Sequence, residues 1–391
     1  MRKKIAALVV LVNVFMILMG STQAQSETSS ILSRRKAVEL IKDNSSAIWD
    51  AQQGVVFAKE DYEEQAARSK SIDTVKVFLF VNPYTDEDVY YYYDSAEQMQ
   101  LKLMKEFVPE SMKFAYEVKQ KTVEVTENAM ANTADNLFAG LYSTYHSIRL
   151  AEKSLELAQN NARREQERFN NGMITELELE SALLEVKASE DAVTKAKRNY
   201  DNMHRQFNGL ANMPLDFRFD LIGTPWSHDY EIPITQEQAI ESALQNRLEI
   251  WSTMRQIELI EFRMEIYRHR NVYKFHQQTI KDYEAAQDNL DELKITLSQQ
   301  KYDIEKEIRQ AYQELKKSYN DLELAKLNLA KQRNLLSTTR TQYESGLVPE
   351  SIIEQLELAI EQLEFAVDIS LINVLNKQDQ LYRAISIGPG Y

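Results

Sequence analysis

Apolar residues recur every three or four positions along most of the chain, and the positions between them are mostly charged or amide side chains. The pattern starts at Ser33, resumes after Pro109 and starts again near Ile234. It is clearest in the second half, at Leu290, Leu293, Leu297, Ile304, Ile308, Ala311, Leu315, Tyr319, Leu322, Ala325 and Leu329. This spacing predicts long amphipathic helices that pack against one another with a slight supercoil.

Two short polar stretches break this pattern, one near the middle of each half of the chain. They are residues 168–176, with the sequence RFNNGMITE, and residues 342–350, with the sequence QYESGLVPE. Each holds one glycine, Gly172 or Gly346, which can take the left-handed conformation that ends a helix. The threonine or proline three positions later suits the first turn of a new helix. Both stretches are therefore predicted to be tips where one long helix turns back into another.

The two tips belong to a tandem repeat. The step in residue number from Gly172 to Gly346, which we call the tip offset, also relates many identical residues without a gap. The identical pairs include Leu141/Leu315, Tyr145/Tyr319, Ala151/Ala325, Leu155/Leu329, Asn160/Asn334, Glu180/Glu354, Ala192/Ala366 and Val193/Val367. We therefore predict two copies of one helical hairpin, in residues 25–212 and 234–391, joined by a connector over residues 213–233.

The openings of the two halves match at a different step, which we call the opening offset. Ser33 matches Thr235 and Trp49 matches Trp251. The opening offset is 202 and the tip offset is 174, so the first half must carry a net insertion of 28. The insertion must lie between Trp49 and Phe138, where the match changes from one offset to the other.

The predicted insertion lies near residues 71–94, because this stretch has the composition of strands. Thr74–Val81 and Val89–Tyr93 are rich in β-branched and aromatic residues, and turn-forming residues around Pro83 separate them. We predict a β-hairpin or extended loop here. The second half lacks the insertion, so it is predicted to continue as helix through Tyr267–Tyr283 without a hairpin. A further short strand is predicted within the connector, at residues 217–222.

The predicted hairpin is unusually aromatic. Its two strands contain Phe78, Phe80, Tyr90, Tyr91, Tyr92 and Tyr93. Such residues favour the interface between a membrane and water, where an amphipathic ring has one apolar and one wet side. They are equally typical of an edge strand that packs on a helix, and both interpretations stay open. Each of the two predicted strands is shorter than the roughly 9–11 residues that a membrane-spanning strand needs.

Charge and cysteine content exclude several classes of function. The formal net charge is −14, which makes nucleic acid and anionic lipid surfaces poor partners for the protein as a whole. The chain has no cysteine, which excludes disulfides, a lipid-modified cysteine and thiolate metal sites.

The first residues are typical of a secretory signal. Arg2, Lys3 and Lys4 precede an apolar run over residues 5–19, and small residues follow up to Ala24. We expect residues 1–24 to be removed and the mature protein to be exported. The alternative is an uncleaved membrane anchor, although the apolar run is shorter than the roughly 20 residues that normally span a bilayer.

No pattern of catalytic or metal-binding residues is found in the sequence. His269 and His276 are seven positions apart and are expected on one helix face, but no Asp/Glu pair at ligand spacing completes a site. Glycine-rich phosphate loops and a Ser-His-Asp order in its strand and turn context are both missing. We therefore expect no enzyme activity, no cofactor and no metal.

The tip around Arg168 and Gly172, the duplicated halves and the N-terminal signal together resemble the TolC-type outer membrane efflux family. The opening ITQEQAIESALQNR, at residues 234–247, is similar to the start of each half in that family. The resemblance covers nearly all of the mature chain. It implies a homotrimer in which each protomer adds two helical hairpins to a hollow α-helical barrel. Such barrels are exit ducts for type I secretion and drug efflux.

The resemblance also implies partners at the tips, namely a periplasmic adaptor that works with an inner-membrane pump. Matching the family's tip motif gives five candidate contact residues, Arg168, Gly172, Thr175, Gln342 and Gly346. Gln342 occupies the position of the family's arginine, which weakens the transfer of an arginine role to the second tip. From the residues alone, the same five positions are explained as the turn that any helical hairpin needs.

One departure concerns the membrane. In the family that the sequence resembles, each protomer is expected to contribute two strand pairs to a transmembrane β-barrel, whereas this sequence has one short candidate pair. Three protomers would supply about six strands, fewer than the 8 at which membrane barrels begin. A reduced or missing β-barrel is expected, with an outer membrane location implied by resemblance and membrane contact left open.

These observations predict an exported, all-α, passive duct in an envelope export system. The rival hypothesis is a non-catalytic coiled-coil scaffold or adaptor of the envelope, with no lumen of its own. A periplasmic adaptor would show one helical hairpin among several β-rich segments, whereas this chain has two hairpins and little strand.

Overall fold

The computed structural model describes residues 31–223 and 234–388 of the chain. The predicted signal, residues 1–24, lies outside the described residues, as do residues 224–233 of the predicted connector and the last three residues. Among the described residues, no helix combines the length and the apolar composition needed to cross a membrane.

Within this part of the chain, helices hold most residues and the strands are short. In chain order the elements are β1 (Ile31–Leu32), α1 (Arg34–Asn44), α2 (Ser46–Lys70), β2 (Lys76–Val81), β3 (Asp88–Tyr92), α3 (Ser95–Lys102), α4 (Val108–Asn170), α5 (Glu176–Leu210), β4 (Leu221–Ile222), α6 (Gln236–Asn246), α7 (Leu248–Tyr267), α8 (Gln277–Glu344) and α9 (Glu350–Ile385). A π-helical turn at Leu103–Phe107 joins α3 to α4, and a 3-10 helix at His269–Lys274 lies between α7 and α8. The prediction of an all-α protein with one short β-hairpin is confirmed.

Two antiparallel hairpins of long helices form the body of the molecule, which we call the shaft. α4 packs on α5, and α8 packs on α9. α8 alone has 68 residues, which corresponds to about 100 Å of helix. α4 also contacts α9, so the two hairpins lie side by side. Both tips therefore lie at one end of the molecule, and the segments that precede α4 and α8 lie at the other end.

Each half opens with a short helix that bends into a longer one. The bends are at Ser45 and Arg247, which correspond at the opening offset, and both residues take an extended backbone conformation. The hydroxyl of Ser45 accepts a hydrogen bond from the amide of Ile48. The side chain of Arg247 is 3% exposed and pairs with Glu307 on α8 at 2.9 Å. The two halves thus make the same bend with different side chains.

The predicted β-hairpin is present at the end opposite the tips. β2 and β3 pair antiparallel, from Lys76 opposite Tyr92 to Val81 opposite Asp88, with an irregularity at Leu79. The loop between the strands is closed by backbone hydrogen bonds, including Asn82 N–H to the carbonyl of Glu87 at 2.7 Å. We refer to residues 76–92 as the arm.

The second half differs from its prediction at the same end. α7 ends at Tyr267 and α8 begins at Gln277, so the helix expected through Tyr267–Tyr283 is wrong. Arg270 and Asn271 reverse the chain with φ angles of 46° and 61°. Neither is glycine, and left-handed backbone at such residues leaves little trace in a sequence. No strand lies between Glu265 and Leu290, as predicted, in a range that the structure describes completely.

The insertion is longer than the segment predicted near residues 71–94. The last residue of α7, Tyr267, matches Gln65 at the opening offset, and the first residue of α8, Gln277, matches Leu103 at the tip offset. Residues 66–102 of the first half therefore take the place of residues 268–276 of the second. The excess length equals the difference between the two offsets by definition, and the structure adds that the segment includes α3.

Other boundaries move by a few positions. Helix precedes Pro109, where it was expected to resume, because the π-helical turn at Leu103–Phe107 runs directly into the first turn of α4, which contains the proline. α5 continues through Asn208, whose buried amide donates hydrogen bonds to the carbonyls of Pro214 and Phe217. The strand expected at residues 217–222 is reduced to β4, which pairs in parallel with β1.

Three apolar clusters hold the described residues together. One joins α1 to the first hairpin and includes Phe138, Tyr142 and Phe207, which are fully buried. A second joins α6 and α7 to the second hairpin around Ile308. The third lies at the arm's end of the molecule, where α3 packs on α7, the 3-10 turn and the start of α8 through Met99.

Candidate functional site

The first tip is a helix end of the Schellman type. Gly172 has a φ of 69°, and its N–H donates to the carbonyl of Phe169 at 2.8 Å. The N–H of Met173 donates to the carbonyl of Arg168, also at 2.8 Å. A Cβ added at Gly172 would meet nothing within 4 Å. Backbone conformation, rather than lack of space, therefore accounts for glycine at this position.

The helix that follows is held by a reciprocal cap. The hydroxyl of Thr175 accepts from the N–H of Glu178 at 3.3 Å, and the carboxylate of Glu178 accepts from the N–H of Thr175 at 2.7 Å. The backbone hydrogen bond from Thr175, followed by the bond from its hydroxyl, lowers the pKa of the Glu178 carboxyl. Thr175 thus precedes the first turn of α5 as its N-cap, one position before the place predicted for it.

The second tip repeats the turn and omits the cap. Gly346 has a φ of 74°, and its N–H donates to the carbonyl of Tyr343 at 2.8 Å. The N–H of Leu347 donates to the carbonyl of Gln342 at 2.9 Å. Pro349 occupies the N-cap position of α9, and no side chain caps this helix. The predicted positive φ at both tip glycines is confirmed.

The two tips lie close to each other because α4 and α9 are in contact. Arg164, one turn before Arg168 on α4, pairs with Glu354 in the first turns of α9 at 3.0 Å. Arg168 itself is 53% exposed and pairs with Glu165 on its own helix at 2.9 Å. Gln342 is exposed. The five predicted tip residues are therefore gathered at one end, with the Arg168 guanidinium partly neutralised within its own helix.

Exposed apolar side chains complete the tips, and the sequence analysis missed them. Met173, Leu177 and Leu347 are 70%, 71% and 75% exposed. Met173 and Leu347 each follow a tip glycine and match at the tip offset, which is the signal that could have identified them. All three are at the end of the molecule that also carries the guanidinium of Arg168.

The six aromatic residues proposed for the arm do not share one face. Phe78, Phe80 and Tyr92 are 50%, 52% and 65% exposed. Tyr90 is less exposed, packs edge-on against Phe78, and donates its hydroxyl hydrogen to Asp88. Tyr91 donates its hydroxyl hydrogen to Glu97 on α3, and its ring lies against that of Tyr93. All six are at the far end of the molecule from the tips. Whether they meet a membrane interface stays a prediction.

The two histidines expected on one helix face are not on one helix. His269 lies in the 3-10 turn, and His276 caps α8, accepting a hydrogen bond from the N–H of Thr279. Within residues 31–223 and 234–388, no group of three or more His, Asp or Glu residues could hold a metal ion.

The fold has clear counterparts among solved structures. The structure of CusC superposes with a TM-score of 0.64 at 11% identity, covering 94% of this chain and 96% of that one. The CmeC outer membrane channel of Campylobacter jejuni gives 0.61 at 14% identity, covering 95% and 92%. The outer membrane protein VceC of Vibrio cholerae gives 0.62 at 11% identity, covering 91% and 96%. At these identities the likeness establishes the fold, which this chain shares with outer membrane channels over almost its whole length.

No protein-family model and no curated sequence matches the chain.

Proposed function

We propose that the protein is the exit duct of an envelope efflux or secretion system, a passive conduit that works with an adaptor and an energised inner-membrane transporter. The observation that carries this proposal is the pair of matched tips, at Gly172 and Gly346, at one end of two side-by-side hairpins. The channels that share the fold support it. Its expected location is the cell envelope, at the outer membrane.

Self-assembly is part of the proposal, because the helices carry apolar side chains that the protomer leaves exposed. On α8, Ile295, Tyr302 and Leu327 are 72%, 62% and 66% exposed, and on α2 Trp49 is 59% exposed. Apolar surface distributed along helices in this way is typical of an interface with another protein chain. A closed ring of identical subunits would cover it with a single kind of contact. We propose a homotrimer.

The tips are proposed to dock the adaptor. Met173 and Leu347 offer apolar anchors in a rigid turn, and the guanidinium of Arg168 lies one helical turn before Gly172. Methionine and arginine are enriched at protein interfaces, and charge beside an apolar contact helps to fix its register. The helical walls, in contrast, need only pack against one another.

Substitutions at the first tip test the proposal. Gly172→Val forces a branched side chain into left-handed backbone, at a local cost of about 1–2 kcal/mol. This cost is small compared with the packing of α4 on α5, so helicity and trimer formation should stay near normal. Gly172→Val and Arg168→Glu are each expected to abolish export and cross-linking to the adaptor. Gln342→Glu is the matched control and should have a smaller effect, because no positive charge is lost.

Normal export by both first-tip variants would show that the tips are only turns, and the scaffold hypothesis would then be preferred. Light scattering coupled to chromatography is an independent check on assembly. A well-folded monomer at micromolar concentration would contradict the duct and favour the scaffold.

A further inference from the structure

Opposite charges that form no ion pair within the described residues accumulate at the end of the molecule far from the tips. The loop of the arm carries Asp86, Glu87 and Asp88 in succession, all exposed, beside Tyr84, which is 95% exposed. In residues 31–223 and 234–388, none of the three carboxylates forms an ion pair. Asp88 accepts a hydrogen bond from the hydroxyl of Tyr90, which leaves Asp86 and Glu87 facing solvent.

The turn between α7 and α8 is the basic counterpart. Arg268, Arg270 and Lys274 are exposed, in a protein whose net charge is −14. In the part of the chain that the structure describes, no carboxylate lies within ion-pair distance of these three cations. Arg268 donates to the hydroxyl of Tyr283, and Phe275 beside them is 62% exposed. The turn therefore presents positive charge together with an apolar ring.

The base of the arm and the basic turn both adjoin α3. α3 follows β3 directly, and the hydroxyl of Tyr91 fixes the base of the arm to Glu97 on that helix. Met99 of α3 shares an apolar cluster with Val272 of the turn. Even so, the carboxylates of the arm form no ion pair with the turn of the same protomer, within the described residues. The charges of the arm and of the basic turn are therefore opposite in sign, and they do not pair with each other within one protomer.

The arm also exposes apolar side chains that a partner could bury. Phe78, Leu79 and Phe80 are each at least half exposed, and successive strand residues point to opposite faces. A two-stranded hairpin with both faces in water is at best marginally stable. The partner that completes it must offer apolar surface together with positive charge opposite Asp86 and Glu87. An anionic lipid surface would repel these carboxylates, whereas the basic turn has the required sign.

We propose that the arm of one protomer docks on the basic turn of the next, with Asp86 and Glu87 opposite Arg270 and Lys274. The inference rests on the proposed trimer and concerns the end away from the adaptor. Arm and turn are different surfaces, so the contact is heterologous, and three copies close it into a ring. The insertion of the first half then acts as an intersubunit clasp, and the short turn of the second half is its receptor.

Cysteine cross-linking tests the clasp, and the full-length mature chain suits it because it has no cysteine. The variant Thr85→Cys/Asn271→Cys places one thiol in the loop of the arm and one in the turn. Mild oxidation should convert most of it to covalent trimers on a non-reducing gel, and each single variant should stay monomeric on the same gel. The matched control, Thr85→Cys/Ser345→Cys, puts the second thiol at the tips and should give no covalent trimer.

A charge exchange tests the electrostatic part. Glu87→Lys and Lys274→Glu should each raise the dissociation constant of the trimer about tenfold at low salt, and less at high salt, where charges are screened. The double variant should return to within about threefold of the original protein, because both charges are exchanged. As a control, exchange of the exposed pair Arg340 and Glu357, which joins α8 to α9 near the tips, should leave the trimer unchanged.

The outcomes separate the clasp from the duct. A trimer by light scattering that neither cross-links nor responds to the charge exchange would overturn the clasp and leave the trimer standing. A monomer would overturn both proposals. A disulfide within one chain would assign the arm to its own turn and overturn the contact between copies. Binding to anionic phospholipid vesicles that is lost in Arg270→Glu, without covalent trimers, would assign the turn to lipid and overturn the clasp.

Discussion

The first and second halves of the chain keep the same shaft and differ at its two ends. Along the shaft, the single step from Gly172 to Gly346 relates the helices without a gap. At the far end, the arm and α3, within residues 66–102, stand where the turn at residues 268–276 stands in the second half. At the tips, the same glycine turn is followed by a reciprocal cap in one half and by proline in the other. Packing restrains the shaft, and the ends, where partners are proposed to bind, have diverged.

Buried charge is also distributed differently between the halves. In the first, Asp135 on α4 is 2% exposed and lies between Arg34 of α1 and Arg383 of α9, at 2.9 Å from each. In the second, Arg247 is buried and its partners Glu249 and Glu307 are 44% and 27% exposed. One half therefore buries a carboxylate between two cations, and the other buries a cation between two partly exposed carboxylates.

The largest expected effect follows from this contrast. Asp135→Asn removes the buried carboxylate that pairs with both guanidinium groups. Arg34 keeps Asp379, but Arg383 loses the ion pair that it forms within the described residues, so the free energy of unfolding should fall by roughly 3–4 kcal/mol. Glu249→Gln removes a carboxylate that is nearly half exposed, and Arg247 keeps Glu307. Its cost should be about 1 kcal/mol or less. Urea titration at pH 7 measures both values, and equal costs would show that burial does not distinguish the two clusters.

A pH effect should distinguish the halves next. His204 of α5 is fully buried, and its ring packs against Tyr200 and Phe219. Burial, together with the nearby charge of Arg218, lowers the pKa of His204 to about 4. At the matching position the second half has Gln378, which does not titrate.

Neutral His204 stabilises the folded state above pH 6.5, the value at which the unfolded histidine takes up its proton. Between pH 6.5 and 4 the unfolded chain binds a proton that the folded chain does not. The free energy of unfolding should therefore fall by about 3 kcal/mol as the pH is lowered from 6.5 to 4. Comparing urea titrations of the original protein and His204→Phe over that range isolates the effect from other groups. Identical pH dependence in both proteins would rule out this role for His204.

The sequence was sufficient wherever a pattern repeats. Spacing predicted the long helices, the glycine in each of the two polar stretches predicted the tips at Gly172 and Gly346, and the difference of two offsets indicated a net insertion in the first half. It was insufficient where a single side chain decides the backbone. Arg270 and Asn271 turn the chain without glycine or proline, and the bend at Ser45 lies within a continuous apolar stripe.

The candidate site was recovered to a similar extent. The tip motif identified the turn and Arg168, because glycine and a charged residue are visible in sequence. Leu177 was missed because it looks like an ordinary apolar position of a helical pattern, and only its exposure separates it from the core. Met173 and Leu347 were missed because their match at the tip offset was not considered. The ion pair that joins α4 to α9 near the tips connects Arg164 with Glu354, which are far apart in the chain, and no local pattern marks it.

The tip glycines should respond equally in the two halves. Gly172→Ala and Gly346→Ala each place a Cβ in left-handed backbone where nothing else lies within 4 Å, so each should cost about 1 kcal/mol. Gly54→Ala is the matched control, because Gly54 lies inside α2 and an added Cβ would only reach 3.9 Å from Lys119. This change should raise stability by about 0.5–1 kcal/mol. Unequal costs at the two tips would indicate a contact that differs between them.

The smallest expected effect concerns the cap that only the first tip has. Thr175→Ala removes both the hydroxyl that accepts from Glu178 N–H and a donor to the Glu178 carboxylate, which should cost about 1 kcal/mol of local stability. Pro349→Ala should change the local stability of the second tip by only a few tenths of a kcal/mol, because no side chain caps α9. Amide hydrogen exchange resolved along the chain is the measurement, since a change confined to a tip barely alters global unfolding of long hairpins. Protection at Glu178 and Leu179 should fall about fivefold in Thr175→Ala, while protection at the start of α9 stays nearly constant in Pro349→Ala.

The carboxylate of Glu178 has a lowered pKa, so its contribution to the cap is present above its usual pKa of 4.5 and is lost as the pH falls below it. The difference between the two tips should therefore shrink in acid, and a difference that persists at pH 3 would assign the cap to the threonine hydroxyl alone.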